Sequence, residues 1–148
     1  MIPSTARRVP DNTADHVNER IREQTRANVE RVAARGPAAI DRRLRELDEE
    51  WDIERYVETM APTLTLLGMT LGLTVSRKFF VIPFAVQSFF LQHALQGWCP
   101  PIPVLRRFGV RTEREIDDER TALKAIRGDF RTVRGPGSTG QALAAAER

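Results

Sequence analysis

Cysteine occurs once in this chain, at Cys99, which excludes a disulfide scaffold. Histidine and lysine occur twice each, and 21 of the 23 basic residues are arginines, a skew that reads as a GC-rich bacterial genome. Charge is scarce in the middle. Residues 61–98 hold only Arg77 and Lys78, where the mean density would place about eleven charges. Such a stretch can bury itself, so a fully disordered chain is excluded. No glycine-rich phosphate loop, Gly-x-Ser-x-Gly or His-Glu-x-x-His is present. The net charge of +3 is too balanced to indicate a nucleic-acid partner. Met1–Asp15 carries no apolar run, so no cleavable signal is expected there.

The 148 residues divide by composition. Residues 1–13 read as a loose tail and 14–60 as charged amphipathic helices. Val17, Ile21, Val29 and Val32 form the stripe of a first helix, which Gly36-Pro37 stops. Ile40, Leu44, Leu47 and Trp51, with Tyr56, Val57 and Met60, form the stripe of a second, expected from about 38 to 60. Its other face carries the i,i+4 pairs Asp41/Arg45, Arg42/Glu46 and Arg45/Glu49, each stabilising by roughly 0.2–0.5 kcal/mol. Ala61-Pro62 is expected to open a new helix, with proline in its first turn. Residues 99–130 read as a proline-rich turn and a short helix with a Thr112–Glu115 capping box, and 131–148 as a flexible tail.

Residues 61–98 have the pattern of a two-helix membrane hairpin. Ala61–Ser76 is uncharged, and Phe79–Leu105 is charge-free for 27 residues. A span needs roughly 20 apolar residues, so both helices are marginal in length. Arg77 and Lys78 at the tip can snorkel to the far interface, and Trp98 stands where indoles concentrate. Thr65, Gly68, Gly72 and Ser76 align as a small-residue face, and Ser88, Gln92 and Gln96 as a polar stripe. In lipid, such faces pack helices together, within the hairpin or against a second copy. Arg42, Arg43, Arg45, Arg55, Arg106, Arg107, Arg111 and Arg114 flank the hairpin, against two basic residues at the tip. This imbalance puts both termini in the cytoplasm.

The stretch Leu91–Pro100, with Gly97, Cys99 and Pro100, followed by Leu105–Val110, resembles the YgaP-like inner-membrane family, a domain of unknown function. That family has two transmembrane helices, the second ending in Gly-x-Cys-Pro before a Leu-x-x-x-Gly segment, here Leu105 and Gly109. The resemblance covers residues 60–110 and implies a membrane hairpin that self-associates. In one member the hairpin follows a rhodanese domain. Residues 1–60 contain no cysteine and read as two charged helices, so the sulfurtransferase activity is not implied here.

Three groups stand out chemically. Cys99 is a redox or sulfur-handling candidate, weighed against a packing role in the turn, since a helix carboxyl end disfavours a thiolate. His93, in an apolar helix with Gln92 and Gln96, is weighed as a relay against an interhelical hydrogen bond. Asp48–Glu50 with Asp52 and Glu54, and Asp117–Glu119, read as solvated helix faces, and no metal site or cofactor is expected. The expectation is an all-α, non-catalytic bacterial inner-membrane protein. It would associate with itself and offer its helices to a cytoplasmic protein partner. The alternatives are a redox or sulfur-handling membrane protein using Cys99 and a soluble helical interaction domain.

Overall fold

A computed structural model describes residues 3–147. Among the described residues the regular structure is entirely helical: α1 (Arg8–Asp11), α2 (Asp15–Ala33), α3 (Pro37–Glu49), α4 (Ile53–Thr74), a 3₁₀ turn (Arg77–Phe80), α5 (Val81–Gln96), α6 (Ile102–Arg107), α7 (Glu113–Arg127), a second 3₁₀ turn (Pro136–Ser138) and α8 (Thr139–Glu147). The chain forms two compact units. One comprises the residues up to Glu19 together with Trp51–Glu113; the other comprises Arg20–Glu50 and the residues from Arg114 onward.

The first unit is a helical hairpin on a small base. α4 does not begin at Ala61. Glu50 turns extended, and Asp52 caps the helix by accepting from the Arg55 N–H at 2.8 Å. α4 then runs through Pro62. The missing proline N–H releases the carbonyl of Glu58, which is exposed and can be solvated. Trp51 therefore leaves the α3 stripe and packs edge-on against Tyr56 with the Arg55 guanidinium over its ring. Ser76 caps the 3₁₀ turn, and α5 returns antiparallel along α4.

Gly97 ends α5 with φ +77, and a Cβ there would overlap the Arg8 carbonyl group. Glycine thus answers two demands at this position: left-handed backbone and close approach to α1. Arg8–Asp11 is accordingly helical where a loose tail was expected. Val9 is buried, and Asn12 Nδ2 donates to the carbonyls of Arg8 and Gln96, both at 2.8 Å. Val9, Ile53, Val57, Cys99 and Ile102 form the base core, with Phe90, Leu105 and Val110 against it. Arg106 is fully buried, donating to the Val110 carbonyl at 3.1 Å and to Asn18 Oδ1 at 2.8 Å.

The second unit has its own core of Val32, Ala39, Ile40, Leu44, Leu47, Ile116 and Leu123. Of the expected i,i+4 pairs on α3, Arg42 and Glu46 approach at 3.9 Å. Asp41 instead accepts from Arg127 of α7 at 2.5 Å, and Asp48 pairs with Arg120. Arg43 reaches Glu119 through two hydrogen bonds, 2.7 and 3.3 Å, and Glu119 is completely buried. The Asp117–Glu119 run is therefore not wholly a solvated face. Thr139–Glu147 is also helical where a flexible tail was expected. α8 buries Ala145, and Lys124 Nζ donates to the Ala146 carbonyl at 2.5 Å.

Two predictions follow from this packing. Gly97→Ala will destabilise more than Gly109→Ala, because Gly109 has φ +86 but open space around it. The left-handed conformation alone costs an L residue about 1–2 kcal/mol, so the excess in thermal melts measures the overlap with Arg8. Arg43→Met will cost roughly 1–3 kcal/mol by removing two hydrogen bonds to the buried Glu119, and Glu119→Leu will cost less in that background than in the parent. Additive losses in the double variant would refute the coupling.

Candidate functional site

The small-residue face on α4 is occupied from within the chain. A Cβ on Gly68 would meet Pro83 at 2.6 Å and Ile82 at 2.9 Å, and one on Gly72 would meet the Phe80 ring at 2.7 Å. Both glycines are buried, so they set how closely α5 and the 3₁₀ turn approach α4. Thr65 belongs to the same contact: its hydroxyl accepts from Gln87 Nε2 at 2.7 Å. Gln87 was not part of the expected stripe. Ser76 serves as the 3₁₀ cap. Ser88 bonds back to the Phe84 carbonyl at 2.8 Å and is exposed, so it does not pair across helices. Gln92 is half-buried and Gln96 exposed. Of the two packings expected for this face, within the hairpin or against a second copy, Gly68 and Gly72 make the first.

The outer faces of the hairpin are apolar and uncovered. Leu66 is 68% exposed, Leu73 75% and Phe84 76%, and Leu64, Leu67, Met69, Val81, Leu91 and Leu95 are exposed beside them. Arg77 and Lys78 stand exposed at the tip. Among the described residues one helical segment, Arg77–Gln96, is long and apolar enough to cross a membrane, rather than the two expected. Threonine, glycine and proline dilute the corresponding part of α4.

At the base lies a polar cluster whose members are far apart in the chain. His93 is 1% exposed, and its Nε2 donates to Glu54 Oε2 at 2.7 Å. Arg8 Nη2 donates to Glu54 Oε1 at 2.9 Å. Nδ1 of His93 is buried without a hydrogen-bond partner. Cys99 is buried in the base core, one residue beyond Trp98, which packs edge-on against Phe89. Pro100 is exposed in the turn that follows. Cys99 also lines a cavity of about 200 Å³ between α4, α5 and the proline turn, whose walls are Val57, Ala61, Leu64, Val86, Phe89 and Phe90 among others.

No protein-family model, curated protein or solved structure matches this chain. The site is accordingly argued from its own chemistry. Among the described residues no group of three or more His, Cys, Asp or Glu side chains is placed to hold a metal ion.

Glu54 and Arg8 were missed by sequence reasoning. Glu54 was grouped with the acidic run as a solvated face, and Arg8 with a loose tail. Their separations from His93 and Glu54, 39 and 46 residues, leave no local signal. The usable hint was the histidine itself, since a buried imidazole needs a partner.

The hydrogen bond from His93 holds the Glu54 carboxyl below its ordinary value of 4.5, and Arg8 adds to this against the opposing effect of burial. A carboxyl depressed in the folded state stabilises it fully above the unfolded value. That contribution disappears as pH falls through the lower folded value. Stability of the detergent-solubilised protein will therefore fall as pH drops below 4.5, and Glu54→Gln will flatten that portion of the profile. An unchanged slope in the variant would show that the cluster does not couple Glu54 to folding.

Proposed function

We propose that this protein is a small bacterial inner-membrane protein whose α4–α5 hairpin inserts in the bilayer and whose charged helices lie on the cytoplasmic side. The observation that carries the reading is the exposed apolar surface of the hairpin. Large leucine, phenylalanine and valine side chains cover its outer faces while the glycines face inward. In water such a contiguous surface is unfavourable, and lipid would cover it without a specific partner.

Dimensions agree with insertion. The 20 residues Arg77–Gln96 extend about 30 Å at helical rise, close to the hydrocarbon thickness. Arg77 and Lys78 would sit at the far interface, and Trp98 at the near one. The Arg8–Glu54–His93 cluster closes the base, where the lipid headgroups begin. The arginine imbalance around the hairpin supports cytoplasmic termini. The resemblance to the YgaP-like family supports the same reading. Gly97 is the turn at the end of α5, and Cys99 and Pro100 begin the segment that leads back over the base.

In this reading the protein is an anchor and scaffold rather than an enzyme, with the charged helices as the surface for a cytoplasmic protein partner. A second reading is redox or sulfur handling at Cys99, the thiol that lines the cavity at the base.

Fractionation tests the main reading. The tagged protein will stay with membranes in carbonate and be released by detergent. Leu66→Asp together with Phe84→Asp will shift most of it out of the carbonate-resistant fraction. Release of the unaltered protein by carbonate would instead mean that the hairpin surface is covered by protein.

A further inference from the structure

The second unit carries a cationic pocket that membrane insertion of the hairpin does not use. It lies where α2 ends and α3 begins, and has a volume of about 210 Å³. Ala39, Arg42, Arg43 and Glu46 line it from α3, spaced i, i+3, i+4 and i+7 and so on one helix face. Arg31 comes from the last turn of α2 and Arg35 from the turn that follows. Four guanidiniums thus share this pocket with one carboxylate.

The charges do not cancel. Arg43 is balanced by carboxylates: it bonds the buried Glu119 at 2.7 Å and approaches Glu46 at 3.2 Å and Glu50 at 3.6 Å. Arg42 shares Glu46, at 3.9 Å. Among the described residues Arg31 and Arg35 have no carboxylate partner. Arg31 donates instead to Oδ1 of the buried Asn28 at 2.6 Å, and the same oxygen accepts from Gln24 Nε2 at 3.0 Å. Asn28 therefore holds one guanidinium in place without neutralising it, and Glu119 holds Arg43. With these two side chains already fixed, less ordering is left for a ligand to impose.

The two unbalanced guanidiniums fit a doubly charged anion. A phosphate monoester carries about −1.5 to −2 charge at pH 7 and offers three acceptor oxygens. Guanidinium forks match phosphate geometry through paired N–H donors. The pocket is smaller than the roughly 300–1,000 Å³ of sites that enclose drug-sized ligands, so it has room for a phosphoryl head and leaves the remainder of a larger molecule outside.

We propose that this pocket binds a phosphate monoester, with Arg31 and Arg35 supplying the balancing charge and Arg42 and Arg43 completing the donor set. The monoester can belong to a soluble small molecule or to a lipid headgroup, since the recognised chemistry is the same. The inference does not rest on the membrane reading, because every residue in it belongs to the second unit.

The test is isothermal titration calorimetry of the full chain in detergent, at low ionic strength, with inorganic phosphate as the probe. Saturable binding near one site per chain is expected. Arg31→Gln and Arg35→Gln should each weaken it about tenfold or more, the loss expected for hydrogen bonds to a charged group. Both side chains are exposed, so the melting temperature without phosphate should stay close to that of the parent. Arg45→Gln removes the same charge from an exposed position of α3 outside the pocket, and should leave the affinity within about twofold. Glycerol phosphate and detergent micelles carrying phosphatidic acid, titrated in the same way, distinguish the sources: the tighter of the two identifies the soluble or the lipid form. Three results would overturn the proposal: no saturable heat with any of these probes, equal weakening in Arg45→Gln, or unchanged affinity in the folded Arg31→Gln/Arg35→Gln double variant. Carbonate extraction is read separately, so failure of phosphate binding and failure of membrane insertion are distinguishable.

Discussion

A histidine inside an apolar helix must find a partner or leave the helix interior. In this chain that requirement joins three remote segments. His93 of α5 bonds Glu54 at the start of α4, and Arg8 of α1 bonds Glu54 in turn. Buried polar groups are costly when left unmade, so the three segments are strongly favoured to meet in one arrangement. That arrangement fixes the register at the base of the hairpin. It also brings α1 close enough to Gly97 that only a glycine fits. The Cys99 thiol takes its place among Val9, Ile53, Val57 and Ile102.

The remainder of the hairpin follows a different rule. Beyond the base its helices are held by close backbone approach at Gly68 and Gly72 and by the Thr65–Gln87 hydrogen bond. Apolar side chains are directed outward. A water-soluble core has the reverse distribution, with large apolar groups inside and small or polar groups outside. Lipid removes the reason to bury large side chains and leaves packing of small ones as the source of cohesion. The hairpin therefore resembles a membrane element in its internal design as well as in composition. The second unit is ordinary by comparison, with aliphatic groups inside and arginine–carboxylate pairs around them.

Helix existence was largely legible in the sequence. The stop at Gly36-Pro37, the start after Thr112 and the end at Gly97 follow from local backbone chemistry, and they appear where that chemistry places them. The break between α3 and α4 was displaced by about ten residues, because proline at 62 outweighed the capping aspartate at 52 in the reading. Within α4 the proline follows an exposed turn, with Glu58, Thr59 and Met60 all exposed. The start of the chain was read as a tail for its polarity and the end for its Gly-Pro-Gly-Ser-Thr-Gly, yet Val9 and Ala145 are buried.

The sequence by itself determined the helical class, the charge-poor middle, the turn at Gly97 and the position of the only thiol, since each depends on neighbours within a few residues. Tertiary structure alone decided which charges pair and what the small-residue face touches. Glu54, Glu119 and Asp41 look alike in an acidic helix, yet one holds a histidine, one is buried against Arg43 and one reaches Arg127. The physical reason is range. Backbone preferences act over one helical turn, whereas the environment of a carboxylate is set by whatever segment folds against it.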